Sequence, residues 1–254
     1  MNLAPSPPTN PTRQRGSAVF LGVRLVPALA CASGWCLLLA LAGCDAEPEE
    51  TSLKEQAEAV RRGESDRILI ETAILADDDL RELTGLENLR ELLIDSASSR
   101  LTAEGIGQLI GLPRLEHLRI RGTGVDDQAL QHFAGLESLV ILNLPQGTFG
   151  DAALVELKRL PKLAQLRFSS PRVTDAGMQT LAELPAIKRL HLIHVPITDV
   201  GLAELGRIER LESLYIDGGD FSDFAMEKLF RERPRLHIHL NQQHHDLDPH
   251  KHSH

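Results

Sequence analysis

A fixed repeat constrains this chain more than any other feature. The residues Ile68, Leu92, Leu118, Leu142, Leu166, Leu190, Leu214 and Ile238 stand 24, 26, 24, 24, 24, 24 and 24 residues apart. Around each lies the same short apolar signature, such as Leu115, Leu118 and Ile120, or Leu163, Leu166 and Phe168, in which the last two apolar positions alternate with a polar one as in a strand. The second half of each unit changes period. Leu80, Leu83 and Leu86, Leu154, Leu157 and Leu160, and Leu202, Leu205 and Ile208 recur three residues apart, which places them on one face of a two-turn helix. A chain that alternates a strand and a short helix at such a period cannot bury one unit's leucines within that unit, so the units must stack.

Each expected helix is preceded by a polar start signal. Asp77, Asp127, Asp151, Asp175, Asp199 and Asp223 stand at its entrance, where a carboxylate suits the free amides and the positive end of the helix dipole. Ala103 breaks the series in the 26-residue unit, where Thr102 is the expected cap. Upstream of the repeats, Ser52 with Glu55 reads as a capping box, Leu53, Ala57 and Val60 share a helical face, and Gly63 is a stop. That helix is expected to cover the open end of the stack.

The pattern resembles the leucine-rich repeat family. The steps Thr174-Asp175-Ala176-Gly177-Met178 and Thr198-Asp199-Val200-Gly201-Leu202 are similar to the cysteine-containing or F-box-associated subtype. The resemblance covers residues 65–241, about 70% of the chain. It implies an α/β leucine-rich-repeat solenoid, a curved right-handed superhelix with about eight parallel strands on the concave face and helices on the convex face. The position that usually holds Cys or Asn carries Ala73, Thr123, Gly147, Pro171, Val195 and Gly219 here, so looser turns are expected.

The residues flanking the buried strand position then face the hollow of the arc. One ladder reads Arg67, Glu91, His117, Ile141, Gln165, Arg189, Ser213 and His237, and the next reads Leu69, Leu93, Arg119, Asn143, Arg167, His191, Tyr215 and His239. With Arg121 one step out, His117, Arg119, Arg121, Arg167, Arg189 and His191 form a basic stripe, and Tyr215 offers an amphipathic anchor. Such a stripe suits an acidic protein segment or an anionic glycan, since guanidinium binds carboxylates in bidentate fashion. The competing reading is a set of ordinary solvated strand residues neutralised by Glu91, Glu116 and Asp217.

The amino-terminal residues read as an address. Residues 1–43 contain Arg13, Arg15 and Arg24 and no acidic residue, then an apolar run over 25–41 that ends at Leu41, Ala42, Gly43 and Cys44. This resembles the bacterial lipoprotein signal and lipobox, which implies cleavage before Cys44 and a diacylglyceryl group on its thiol. Acyl chains contribute about 0.8 kcal/mol per buried methylene, so two or three chains anchor stably. An uncleaved membrane helix over 19–41 is the competing reading. The Pro-rich start (Pro5, Pro7, Pro8 and Pro11) departs from a compact signal and leaves a later start such as Val23 open. Residues 44–64 are then an acidic tether and the capping helix. Removing residues 1–43 also removes Cys31 and Cys36, leaving Cys44 alone, with 24 basic against 36 acidic residues, a charge of −12.

The charge of −9 on the whole chain and an aromatic content of 4% argue against a partner with a phosphate backbone or stacked bases, so no nucleic-acid partner is expected. The sequence holds no Walker loop, no Gly-x-Ser-x-Gly and no His-Glu-x-x-His, and a non-catalytic protein is expected. Residues 242–254 form a His-rich tail, expected to be disordered, whose His244, His245, His250, His252 and His254 are candidate ligands for loosely bound zinc, nickel or copper. No other cofactor is implied. The leading expectation is a lipid-anchored protein-binding module on the outer side of the inner membrane or on the outer membrane of a bacterial envelope. The alternatives are a ubiquitin-ligase-type substrate adaptor, suggested by the F-box-type repeats, and envelope metal binding through the tail.

Overall fold

The computed structural model describes residues 51–122, 124–241 and 243–244. The lipobox Leu41, Ala42, Gly43 and Cys44, the tether up to residue 50, Thr123, and the tail histidines His245, His250, His252 and His254 lie outside the described residues. Among the described residues no helix is long and apolar enough to cross a membrane.

The first helix, α1 (Leu53–Arg61), starts and stops where its chemistry dictates. Ser52 and Glu55 exchange hydrogen bonds with each other's backbone amides as a capping box. Gly63, at φ +73°, lets the Gly63 and Glu64 amides reach back to the carbonyls of Val60 and Ala59. Leu53, Ala57 and Val60 are buried, so α1 covers the first edge of the core as its periodicity requires.

Eight parallel strands follow in chain order: β1 (Arg67–Ile70), β2 (Glu91–Ile94), β3 (His117–Ile120), β4 (Ile141–Leu144), β5 (Gln165–Phe168), β6 (Arg189–Ile193), β7 (Ser213–Asp217) and β8 (His237–Leu240). Each pairs only with its sequence neighbours. The reference residues Ile68, Leu92, Leu118, Leu142, Leu166, Leu190, Leu214 and Ile238 are register partners along the whole sheet and have no solvent exposure. The two flanking ladders read from the sequence are also in register, from Arg67 to His237 and from Leu69 to His239. The architecture is an α/β leucine-rich-repeat solenoid: an open parallel sheet with a helical segment after each of the first seven strands.

Those segments are α2 (Ala103–Gly107), α3 (Asp127–Phe133), α4 (Asp175–Ala182), α5 (Asp199–Gly206) and α6 (Asp223–Glu232), with 3-10 helix at Asp77–Leu83, Gln108–Gly111 and Asp151–Arg159. The apolar residues three apart point inward as expected, and one continuous core runs from Leu53 to Ile238. Burying each such side chain is worth roughly 1.5–3 kcal/mol, which only a neighbouring unit makes available.

The entrance aspartates have a different task from the one their position suggests. They are the first residues of their helical segments, and where a side chain caps it is the residue before: Asp126, Thr174, Thr198 and Ser222 accept from amides of the first turn, as Thr102 does ahead of Ala103, while Ala76 and Gly150 supply no side-chain cap. The aspartates instead bind the following unit. Asp77, Asp151, Asp175 and Asp199 each accept both the backbone amide and the hydroxyl of the next cap residue, Thr102, Thr174, Thr198 and Ser222, at 2.6–2.8 Å. Asp127 accepts from the Gly150 amide at 2.6 Å. The cap hydroxyl thus accepts from its own helix while donating to the carboxylate one unit back. A β-carbon on Gly177 or Gly201 would lie 2.5 or 2.3 Å from the incoming Asp151 or Asp175 oxygen, which explains the Thr-Asp-x-Gly step as a steric requirement.

Where the subtype's Cys or Asn is missing, other side chains hold the turns. Ser170 donates to the Phe149 carbonyl at 2.5 Å, Gln146 accepts from the Gly122 amide at 2.6 Å, and Asn241 accepts from the Gly218 amide at 2.9 Å. The expected loosening is not visible in the strand register. After β8 the chain turns back at Asn241, and β9 (Gln243–His244) pairs antiparallel with β8. The sheet therefore extends into the first residues of the segment read as a tail.

Candidate functional site

The helix-free face of the sheet carries the two ladders, and β3 to β8 bring the candidate residues onto it. Its first half is occupied by mutual pairing. Glu91 on β2 takes Arg67 Nε at 2.9 Å on one oxygen and His117 Nδ1 at 2.7 Å on the other. Arg119 Nε lies 2.8 Å from Asp95 Oδ1, a close charge contact outside good hydrogen-bond angles, with both side chains mostly buried. Asp95, just past β2, escaped the sequence reading, which named Glu116 as a neutraliser. Glu116 instead pairs with Arg90 at 2.8 Å.

The second half is different. Arg167 on β5 reaches Asn143 Oδ1 at 3.3 Å and donates to His191 Nδ1 at 3.2 Å, and His191 Nε2 lies 2.9 Å from Asp217 Oδ2. The contact assigns the His191 tautomer: Nδ1 accepts, so Nε2 carries the proton toward Asp217. Among the described residues no carboxylate lies within salt-bridge distance of Arg167. Partial burial holds its guanidinium below the usual arginine pKa, and repulsion from Arg119 and Arg121 pushes the same way against the pull of Asp217. Arg121, just past β3, and Arg189 on β6 are exposed, and neither side chain makes a hydrogen bond or ion pair with a described residue.

Between β5 and β8 these side chains surround an open hollow of about 640 Å³, floored by Leu166 and Leu190 and walled by Arg167, Arg189, His191 and Tyr215, together with Gln165 and His239. The Tyr215 ring stacks on His239 with centroids 4.4 Å apart and planes 7° apart, and meets His191 at 5.5 Å. The structure thus brings together four of the seven predicted residues, Arg167, Arg189, His191 and Tyr215. His117, Arg119 and Arg121 do not line the hollow. Gln165 and His239 do line it; both stood in the predicted ladders, but residue type alone gave no reason to single them out. Among the described residues there is no group of three or more His, Cys, Asp or Glu side chains arranged to hold a metal ion.

No protein-family model matches the chain, and no curated protein matches it. Among solved structures, the crystal structure of internalin C2 from Listeria monocytogenes is similar, with a TM-score of 0.49 at 18% identity over 72% of this chain and 91% of that one.

Proposed function

We propose that this protein is a non-catalytic binding module, lipid-anchored to a bacterial envelope through Cys44, that captures an acidic segment of a protein partner on the second half of its concave sheet. One observation carries the reading: in a chain of net charge −9, Arg167 and Arg189 converge on a hollow beside Tyr215 with no carboxylate of the described residues within salt-bridge distance. Carboxylates of a partner would supply the missing counter-charge through bidentate bonds, and Tyr215 supplies a rigid amphipathic contact beside them. The opposite sign of the remaining surface disfavours misplaced encounters and aims an acidic segment at this half. The anchor rests on the Leu41-Ala42-Gly43-Cys44 step, and the envelope location follows from it.

Binding of Asp/Glu-rich peptides to the immobilised protein tests the site. The double variant Arg167→Glu, Arg189→Glu is expected to weaken binding at least about tenfold, as loss of charge-assisted pairs implies, with Arg67→Glu nearly silent because Arg67 sits at the far end of the sheet. Equal binding by wild type and double variant would remove the site. Labelled palmitate tests the anchor: incorporation is expected in wild type and absent in Cys44→Ala, and an unlabelled wild-type protein overturns it.

A further inference from the structure

One contact inside the hollow has a direction that matters for binding. Arg167 donates its Nε–H to His191 Nδ1 at 3.2 Å and an Nη1–H to Asn143 Oδ1 at 3.3 Å, while His191 Nε2 meets Asp217 Oδ2 at 2.9 Å. A guanidinium grips a carboxylate through two parallel N–H bonds, and its side edge consists of Nε–H and Nη2–H. So long as Nε–H points into His191, that edge offers a ligand one donor instead of two. The imidazole therefore decides what Arg167 presents.

His191 accepts only while Nδ1 is bare. A proton taken from solvent onto Nδ1 turns the acceptor into a donor, sets two N–H groups against each other and places an imidazolium beside the guanidinium. Nε2–H keeps its bond to Asp217, now as an ion pair, so the ring stays and Arg167 is the partner that leaves. The ring is held by more than that bond: its side chain is 23% exposed and Tyr215 lies against it at 5.5 Å. The groups that face His191 are Arg167 on β5, Tyr215 and Asp217 on β7, and Arg189 on its own strand. Beyond Tyr215 stand His239, stacked on its other side, and His237, whose Nε2 meets that of His239 at 2.6 Å. Arg119 and Arg121 add their repulsion to Arg167. Asp217 is the one carboxylate of this set. Resting on the proposal that this half of the sheet captures acidic segments, we infer that His191 is a positioning residue for Arg167: neutral, it holds the guanidinium back, and protonated, it releases the two-donor edge into the hollow. Capture of an acidic segment thus tightens as pH falls through the range in which imidazoles charge, about 8 to about 5.

Binding of a Glu-rich peptide to the full chain at about pH 8 and about pH 6, where the peptide keeps its charge, tests this. Wild type is expected to bind at least about threefold more tightly at the lower pH, as one added positive charge at close range implies. His191→Asn keeps an acceptor for Arg167 without a titrating ring, and is expected to bind at both pH values as wild type does at the higher one. His239→Gln is expected to retain the step. Equal affinity of wild type at both pH values overturns the inference and leaves acidic capture standing, and a step kept in His191→Asn but lost in His239→Gln overturns it as well. A ligand-free readout covers the case in which no peptide binds at either pH, which would sink the capture reading itself. In nitrogen-resolved NMR of wild type, the Arg167 Nε–H signal is expected to shift as His191 Nδ1 takes up its proton. An Arg167 signal that stays in place while His191 titrates refutes the coupling.

Discussion

The two halves of the concave sheet share one backbone register and differ in what their side chains do with it. From β1 to β3 the charges are consumed locally: Glu91 serves Arg67 and His117, and Asp95 serves Arg119. From β5 to β8 the same ladder positions hold Arg167 and Arg189 with no described carboxylate within salt-bridge distance, beside a stack of aromatic rings. The inter-unit aspartate bonds follow the same division. They run unbroken through Asp127, Asp151, Asp175 and Asp199, whereas the first half has Asp77 and then a gap at Ala103. A repeat supplies equivalent positions, and the residue placed at each decides whether that position stabilises the stack or faces a partner.

The comparison breaks most visibly if the two halves do not share one spine. Leu118→Ala and Leu190→Ala remove equivalent, fully buried side chains, so each is expected to cost about 2–5 kcal/mol in urea unfolding. A loss in one half only means that the units do not form one cooperative core. A smaller effect sharpens the contrast between the faces. Arg119→Ala strands the mostly buried Asp95 carboxylate and is expected to cost about 1–3 kcal/mol, whereas Arg189→Ala leaves no described partner behind and should stay within about 0.5 kcal/mol. Comparable thermal and urea stabilities for the two variants erase the distinction.

The smallest effect concerns acid. Bonds from the Ser222 amide and hydroxyl hold Asp199 below its ordinary value of 3.8. A carboxylate depressed in the folded state binds fewer protons there than in the unfolded chain, so it adds stability above its unfolded pKa and loses it as pH falls through the folded value. Ser222→Ala removes the hydroxyl donor. The stability gap between wild type and this variant, followed by urea unfolding in steps from about pH 6 to about pH 3, should narrow toward acid, leaving only the loss of the α6 cap. A gap independent of pH detaches Asp199 from the inter-unit bond.

Much of this fold was legible before any coordinates because period and burial are the same fact in a stacked chain. Every reference residue from Ile68 to Ile238 is sealed, and both ladders fall where counting places them. The aspartates were legible as important and misread in role: counting along one unit puts Asp175 at its own helix, and only the stacking distance shows that its oxygens reach Thr198. The glycine two residues after Asp199 makes sense for the same reason, since Gly201 yields space to Asp175, a residue of another unit.

The sequence by itself determined the number of units, the identity of the buried spine and the rows that face outward, because each follows from spacing along a regular backbone. Tertiary structure alone decided which outward charges are already paired, that Tyr215 lies on His239, and that the His237 and His239 nitrogens meet. Those outcomes depend on side-chain directions and on distances between neighbouring strands and loops, which no periodicity encodes.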